Sequence, residues 1–216
     1  MMKVSVLGSG PVGEALANGF LQLKYDVLRA GRYLEKLEPW LAEASGSAFI
    51  GSIDEAVVFA DLIVLAVAGV GAEDTILLCG SQSLAGKIVI DVTNPIDSRS
   101  PTEGVVRLFS DHNYSLMERL QSMAPEAHFV KAFSCVGKEL MICPDFGGQI
   151  PTMFICGNNV EAKVQVAAIL KEFGWDALDM GLVESARAIE PLCMLWCLPG
   201  LREQKWGHAL KLLRKW

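Results

Sequence analysis

Short apolar runs alternate with longer amphipathic stretches along most of this chain, a pattern that is typical of α/β proteins. Two of the runs, residues 62–67 and 88–90, are almost continuously apolar, as strands buried on both faces of a parallel sheet are. The pattern predicts strands at 3–7, 26–30, 48–50, 61–67, 87–92, 128–133, 152–156 and 175–178. It predicts helices at 12–24, about 33–44, 53–59, 71–79, about 113–123, 160–173 and 183–198.

This alternation predicts a doubly wound, mostly parallel sheet of the Rossmann type. The one long irregular segment, residues 93–112, begins at the carboxyl end of a strand, where open α/β sheets bind ligands. A loop with two prolines and two glycines, residues 143–151, follows the sixth strand. We therefore expect a main domain at 1–142 and a small C-terminal α/β extension at 143–216, which completes the sheet, the ligand cleft and a dimer contact.

The segment Gly8-Ser-Gly-Pro-Val-Gly13 follows the first strand directly and has the GxGxxG spacing of dinucleotide-binding loops. Gly8 allows the tight turn, Gly10 lets a pyrophosphate approach the backbone, and Gly13 lets helix and strand pack closely. The helix that starts here offers free N–H groups and the positive end of its dipole to an anion. Glycine-rich turns also occur for packing reasons alone, but the strand, the spacing and the position in the chain together favour dinucleotide binding.

The end of the second strand indicates which dinucleotide is bound. NAD sites usually carry Asp or Glu there, about 20 residues after the loop, for the ribose 2′-hydroxyl. In this chain Asp26 comes too early and Glu35 too late. Arg29, Arg32 and Lys36 instead form a basic cluster that suits an adenosine 2′-phosphate. The cluster could also be a solvated basic turn, but we favour NADP(H) as the cofactor of the main domain.

Composition narrows the class of protein further. Hydrophobic residues make up 51% of the 216 residues, and the longest apolar run, Leu62 to Ala72, is too short to span a bilayer. No uninterrupted apolar segment precedes the glycine loop, as a signal peptide would require. A net charge of −6 argues against non-specific binding to nucleic acid. We expect a cytoplasmic protein with neither a membrane nor a nucleic-acid partner.

The residues that could bind a metal or act in acid–base catalysis do not have the spacing in the sequence that either function requires. The six cysteines and three histidines lack the spacing of metal ligands, so no metal site is predicted, and the cysteines are expected to be buried free thiols. No Ser/His/Asp set or carboxylate pair stands at a strand end. Arg187 and Glu190, three apart on a predicted helix, could form an ordinary ion pair or lie near an acceptor or a dimer interface.

Five segments together resemble the coenzyme F-420-dependent NADP oxidoreductase family, and also the cytoplasmic NADPH-binding domain of the STEAP metalloreductases. In chain order they are Val6 to Gly13, Leu84 to Pro95 with its Asp-Val-Thr-Asn-Pro motif, Val130-Lys-Ala-Phe133, Ile155-Cys-Gly157 with Glu161-Ala-Lys163, and Leu178 to Leu182 with Ala186-Arg187 and Ile189 to Leu192. The resemblance implies hydride transfer between NADP(H) and coenzyme F-420 (a deazaflavin) or a flavin, usually by a homodimer. It does not imply metal reduction in a membrane, because no counterpart of the STEAP membrane domain is present.

The resemblance also implies where the cofactor would lie. It places Ser9, Pro11 and Val12 at the pyrophosphate, Gly31, Arg32 and Lys36 at the 2′-phosphate, Val67 and Ala68 at the nicotinamide ribose, Asn94 and Pro95 beside the nicotinamide, and Ala132 and Phe133 at the hydride-transfer cleft. This chain has Gly31 where the family often has serine, and Ser134 where the family often has asparagine. We expect the first departure to affect the 2′-phosphate site and the second the acceptor pocket.

No catalytic side chain is expected, because two ring systems that exchange a hydride carry the reactive atoms themselves. Two other functions stay open from the sequence. One is an NADP-dependent dehydrogenase or reductase of a small substrate, which would generally need a large helical C-terminal domain, and the segment after Ser134 is short for that. The other is a non-catalytic dinucleotide-binding sensor, which the same fold would permit.

Overall fold

Six parallel strands form the main sheet, in the order β3-β2-β1-β4-β5-β6. The computed structural model describes residues 2–215. The strands of this sheet are β1 (Lys3–Leu7), β2 (Asp26–Ala30), β3 (Ala48–Gly51), β4 (Leu62–Leu65), β5 (Ile88–Asp91) and β6 (His128–Lys131). The strand order is that of the doubly wound dinucleotide-binding fold, which confirms the predicted fold class. Because all six strands run in the same direction, their carboxyl ends lie along one edge of the sheet.

Helices pack on both faces of the sheet. They are α1 (Pro11–Gln22), α2 (Glu38–Glu43), α3 (Ile53–Phe59), α4 (Ala72–Cys79), α5 (Ser81–Leu84), α6 (Leu116–Met123), α7 (Val160–Glu172), α8 (Ala186–Ile189) and α9 (Leu192–Glu203). Ser52 begins α3 and Ser115 begins α6, each as part of a capping box with a glutamate three residues later. The side chain of Asn159 caps α7.

The strands at the centre of the sheet have almost no contact with solvent. All four residues of β4 are at most 1% exposed. On one face Val4 of β1 packs with Leu16 and Phe20 of α1, and on the other Ile63 of β4 packs with Ile76 of α4. Two apolar clusters, one on each face, therefore hold the sheet, as the near-continuous apolar runs predicted.

The C-terminal segment forms a second, smaller sheet. Strands β7 (Thr152–Ile155) and β8 (Asp176–Asp179) pair in parallel with each other. An isolated antiparallel bridge between Lys131 and Cys156 joins β7 to β6. The Thr152 N–H donates to the Leu210 carbonyl at 2.9 Å, so the C-terminal tail runs beside β7. The extension thus adds a separate sheet rather than further strands to the first one, unlike the expected completion of a single sheet, and the boundary at residue 142 stays a prediction.

Prolines explain two of the differences between the helices and their predicted extents. All eight predicted strands are present, with ends displaced by two residues at most. The helix predicted at about 33–44 is a 3₁₀ turn at Leu34–Lys36 followed by α2, which restarts with Pro39 in its first turn. The helix predicted at 183–198 is interrupted at Glu190 and Pro191, because proline has no N–H to donate. Beyond that turn α9 continues through Pro199 to Glu203.

Candidate functional site

The glycine loop between β1 and α1 is held by close backbone contacts. Gly8 has a φ of +145°, and a Cβ at this position would lie 2.3 Å from the carbonyl oxygen of Ala66. The Gly8 N–H donates to the Ala30 carbonyl at 2.8 Å. A Cβ on Gly13 would lie 2.7 Å from the Gly8 carbonyl oxygen. These two glycines are therefore required by the fold itself, whether or not a ligand is bound.

The N-terminus of α1 is open to solvent. Gly10 begins the helix with extended backbone and no capping side chain, and Pro11 follows at the first helical position. A Cβ on Gly10 would meet no atom of the protein within 4 Å. Ser9 and Pro11 are exposed and Val12 is half-buried. The helix start therefore leaves its N–H groups and its positive dipole end accessible to an anion, and the predicted contact with a pyrophosphate stays a prediction.

Arg29 does not belong to the basic cluster predicted for the 2′-phosphate, so that part of the prediction is wrong. The residue is 1% exposed and lies beneath the glycine loop. Its guanidinium donates to the carbonyls of Gly8 and Gly10 at 3.4 and 3.3 Å, pairs with Glu14 at 3.5 Å, and stacks over Trp40. Burial lowers the pKa of Arg29, and the Glu14 carboxylate opposes that effect. Arg29 therefore supports the glycine loop through the carbonyls of Gly8 and Gly10.

The remaining basic residues at the end of β2 are exposed. Arg32 and Lys36 both face solvent, and the Lys36 ammonium lies over the ring of Tyr33, 5.0 Å from its centre. Neither is in an ion pair with a carboxylate of residues 2–215. A Cβ on Gly31 would lie 3.6 Å from the Cβ of Ser9, so the glycine loop and the β2 end are neighbours. Both cations are thus available beside the loop.

The loops after β4, β5 and β6 contact one another along the same edge. A Cβ on Gly69 would lie 2.0 Å from the carbonyl oxygen of Asn94, which shows how closely the two backbones approach. The Asn94 amide nitrogen Nδ2 donates to the Ser134 carbonyl at 2.9 Å. Val67 is half-buried and Ala68 exposed, both just before Gly69. Asn94 Oδ1 and Ser134 Oγ are buried and have no partner among the described residues, so two polar atoms are left for a ligand or water at this edge.

Three of the predicted cleft residues are buried. Ala132 is fully buried, Phe133 is 3% exposed, and Pro95 is also inaccessible to solvent. Phe133 has a φ of +60°, a left-handed conformation that is costly for an aromatic residue. Its N–H donates to the Sδ of Met153 at 3.0 Å. These side chains form the floor of the edge rather than its open surface, and their contact with a ligand stays a prediction.

A buried group of three charges lies directly below this edge, and sequence reasoning missed it. Lys131 Nζ lies 2.7 Å from Asp91 Oδ2 and 3.0 Å from Glu190 Oε1, and all three residues are at most 1% exposed. Burial acts to lower the pKa of Lys131, but the two carboxylates outweigh it and raise that pKa. The signal was present: Asp91 and Lys131 end adjacent strands and pair in register. Two opposite charges at the ends of neighbouring apolar strands indicate such a contact.

Arg187 and Glu190 do not pair with each other. Glu190 binds Lys131, while Arg187 Nε donates to Glu118 Oε2 at 3.0 Å, and Arg187 Nη2 makes a second, shorter bond to Glu118 Oε1. Burial opposes ionisation of Glu118, but Arg187 and the hydrogen bonds from Ser115 lower its pKa to about 2. The predicted intrahelical pair is therefore replaced by two longer-range contacts.

A cavity of about 210 Å³ lies between the segment 93–112 and the turn that joins α8 to α9. It is lined by Leu108, Ser110, Asp111, His112, Arg187, Glu190, Pro191 and Met194. Its lining thus includes both apolar and charged side chains.

The cysteines are free thiols, and four of the six are buried. Cys143 is exposed and Cys197 half-buried, against the expectation that every one would be buried. Burial raises the pKa of Cys156 and of Cys193 to about 12, so both stay protonated near neutral pH. Within residues 2–215, no three His, Cys, Asp or Glu side chains are grouped to hold a metal ion.

The sheet order, the glycine loop and the open helix start define a Rossmann-type dinucleotide-binding protein. Residues 3–95 match the family model described as NADP oxidoreductase, coenzyme F420-dependent. This match, over less than half of the chain, confirms the resemblance drawn from the sequence for those residues.

Curated relatives are longer proteins. Over 208 residues, 92% of this chain, the protein is 33% identical to metalloreductase STEAP3 of Rattus norvegicus. It is 27% identical over 194 residues to metalloreductase STEAP2 of Homo sapiens. The chain spans 38% and 35% of the lengths of these two relatives. Between residues 2 and 215, no helix has the length and apolar character needed to cross a membrane.

Solved structures share the fold over the whole chain. A provisionally assigned F420-dependent NADP reductase from Arthrobacter sp. FB24 superposes with a TM-score of 0.92, at 28% identity, covering 99% of this chain and 100% of that one. A reductive aminase from Aspergillus terreus, in complex with NADPH and ethyl levulinate, gives a TM-score of 0.67 at 20% identity. That alignment covers 94% of this chain and 63% of the aminase, and at this identity it shows the fold alone.

The open space over Gly10 leads to a prediction. Gly10→Val is expected to fold normally, because the residue has a φ of −80° and its Cβ would touch nothing within 4 Å. The valine side chain would occupy the place of the pyrophosphate, so NADPH binding should be lost in calorimetric titration while the melting temperature stays the same. Gly8→Val is the contrasting variant, since its Cβ would collide with the Ala66 backbone and unfold the protein. NADPH binding by Gly10→Val within a few-fold of wild type would contradict a phosphate role for the loop.

Proposed function

We propose that this protein transfers a hydride between NADP(H) and a flavin or a deazaflavin such as coenzyme F-420, without a protein acid or base. The observation that carries the proposal is the state of the charges at the ligand edge. Asp91 and Glu190 both contact the single ammonium group of Lys131 below the surface, and the Arg187 and Glu118 side chains are paired. At the Asn94 edge an amide and a hydroxyl remain, which can orient a ring but cannot act as a general base near neutral pH. Asp111 and His112 line the cavity beside this edge, and the proposal assigns them no acid–base role.

The cofactor half of the proposal rests on three neighbouring features. The open start of α1 would bind the pyrophosphate, while Arg32 and Lys36 would hold the 2′-phosphate beside Gly31. Asn94 Oδ1 and Ser134 Oγ would orient the nicotinamide at the ends of β5 and β6. When bound, the nicotinamide supplies or accepts the hydride at its ring carbon. The chain's own part is to bind, align and exclude water.

The acceptor half rests on the cavity beside the segment 93–112. After β6 the described chain adds two strands and the helices α7 to α9, and the turn between α8 and α9 forms part of the cavity wall. The cavity has a volume of about 210 Å³, which suits a flat ring. We place the acceptor ring at this cavity. The family match supports the choice, and a cytoplasmic location remains our expectation.

We also propose that the protein is a homodimer formed through α9. Leu195 is 57% exposed, and a cavity of about 480 Å³ beside it is lined by Leu195, Leu198, Pro199, Arg202 and Glu203. Arg202 and Glu203 are adjacent, exposed and of opposite charge. Around a two-fold axis each could meet the opposite charge of a second copy, with the apolar residues between them.

The first prediction of this proposal concerns cofactor choice. Arg32→Ala should weaken NADPH binding by roughly 10- to 150-fold, because a charge-assisted hydrogen bond contributes about 1.5–3 kcal/mol. Because NADH lacks the 2′-phosphate, its binding should change little. Lys171→Ala removes one positive charge from the distant α7 and is the control for net charge. Equal titration curves for NADPH and NADH with the wild-type protein would exclude the proposed 2′-phosphate site.

The second prediction concerns the acceptor. The protein should oxidise NADPH in the presence of riboflavin, FMN, FAD or a deazaflavin, followed by loss of nicotinamide absorbance. With NADPH deuterated at C4 and a deazaflavin acceptor, the deuterium should move to C5 of the deazaflavin, while a solvent proton completes its reduction at nitrogen. Turnover of an imine, aldehyde or hydroxyacid but of no flavin would instead establish a dehydrogenase. Tight NADPH binding with no turnover at all would establish a sensor.

The third prediction concerns assembly. Light scattering should give the mass of a dimer for the wild-type protein and of a monomer for Leu195→Glu, since the glutamate would be desolvated at the interface. Val58→Glu is the matched control, because Val58 is 86% exposed on α3, in a different apolar patch. Dissociation by Val58→Glu and not by Leu195→Glu would move the interface to the β3 edge of the sheet.

A further inference from the structure

The ammonium group of Lys131 makes three close contacts, two ion pairs and one hydrogen bond, in a place that solvent does not reach. Nζ lies 2.7 Å from Asp91 Oδ2 and 3.0 Å from Glu190 Oε1, and it donates to the Thr93 carbonyl at 2.8 Å. The side chain of Lys131 is fully buried. Lys131 therefore cannot touch a substrate in this arrangement, and any role it has must act through its partners.

Its partners extend the contact to four elements of the fold. Asp91, at the end of β5, accepts hydrogen bonds from both the N–H and the hydroxyl of Thr93. Glu190, in the turn between α8 and α9, accepts the N–H groups of Leu116 and Met117 at the start of α6. Lys131 itself ends β6. One ammonium group thus fixes the end of β5, the end of β6, the start of α6 and the turn before α9 relative to one another.

Stability alone is a weak explanation for this arrangement. Removing three charges from water costs several kcal/mol for each ion, and apolar residues of similar volume are often as stable as a buried ion pair or more so. What apolar residues cannot do is hold a backbone carbonyl in one place. The Thr93 carbonyl belongs to the peptide unit that leads directly into Asn94, whose side chain binds the Ser134 carbonyl across the ligand edge.

We infer that Lys131 is a positioning residue for hydride transfer: by holding the Thr93 carbonyl between Asp91 and Glu190, it fixes the Asn94 edge against which the nicotinamide is aligned. The inference rests on the proposed function, and it adds a residue and a means of alignment to it. A shift of the edge would leave the pyrophosphate and 2′-phosphate contacts intact, since these lie at β1 and β2. It would displace only the reacting ring.

The test uses a double variant, because Lys131→Met alone leaves two buried carboxylates without a cation and would unfold the protein or shift its charges. Lys131→Met with Asp91→Asn keeps the net charge of the chain, and the asparagine oxygen can still accept from Thr93. The matched control is Lys163→Met with Asp179→Asn. Lys163, on α7, also contacts a carboxylate and a backbone carbonyl. These belong to Asp179, at the end of β8 in the smaller sheet, and to Gly181.

Three quantities are measured for each variant: the Kd for NADPH, the fluorescence gain of NADPH on binding, and the single-turnover rate of hydride transfer to a flavin. For the Lys131 double variant we expect a Kd within about 3-fold of wild type, a loss of most of the fluorescence gain, and a rate about 100-fold lower, the scale of a misalignment of about 1 Å. The control variant should match wild type in all three. Glu190→Gln, which keeps Lys131, should show the same pattern: a Kd close to wild type, a reduced fluorescence gain and a lower rate. Its loss of rate should be smaller than that of the double variant.

Two results would overturn the inference. One is a Lys131 double variant with wild-type rate and fluorescence gain; the other is a control variant that loses rate equally. If the wild-type protein transfers hydride to no acceptor, the proposed function fails, and the fluorescence gain still decides whether Lys131 aligns the nicotinamide. If the double variant does not fold, Glu190→Gln decides in its place, and an unchanged rate and fluorescence gain there would refute the positioning role.

Discussion

The ligand edge depends on backbone packed directly against backbone. At Gly8 and at Gly69 the loop after one strand approaches the chain of the next so closely that a Cβ would lie 2.3 and 2.0 Å from a carbonyl oxygen, of Ala66 and Asn94 respectively. Real side chains never fit such gaps, so the loops after β1, β4 and β5 have little freedom to move apart. The hydrogen bond from Asn94 to the Ser134 carbonyl continues the series to β6. The spacing of the parallel strands therefore determines the geometry of the edge, and this geometry does not depend on a bound ligand.

Two buried basic side chains, on strands toward opposite ends of the sheet, each hold a loop of this edge by donating to its carbonyls. Arg29, at the end of β2, donates to the carbonyls of Gly8 and Gly10, and Lys131, at the end of β6, donates to the carbonyl of Thr93. In each case the charge faces the carbonyl side of a loop. Buried carbonyls need a donor, and in both loops a buried basic side chain supplies it. Arg29 and Lys131 thus help to fix the loops that form this edge.

The sequence predicts the elements of this fold well because parallel strands buried on both faces have an unusually strong apolar signal. It also predicts the glycine loop, since the fold itself needs Gly8 and Gly13. The error at Arg29 has a physical cause: a basic residue near the end of an edge-proximal strand resembles a surface cation, whereas alternation with Val27 places it on the face covered by α1. The Lys131 group joins residues 59 positions apart in the chain, Lys131 and Glu190, which no local pattern encodes. The continuation of α9 through Pro199 is likewise decided by tertiary packing.

The distribution of charge bears on the type of reaction more than any single residue does. Enzymes that move protons usually keep a titratable group at the ligand edge with a pKa near the working pH. Here three acids below the edge contact cations: Glu118 pairs with Arg187, which with Ser115 lowers its pKa to about 2, and Asp91 and Glu190 both contact Lys131. A carboxyl group whose pKa is held that low is a poor general base near neutral pH. Under the proposed function such an edge has to align a reacting pair of rings, and a hydride transfer between two rings requires little more from a protein.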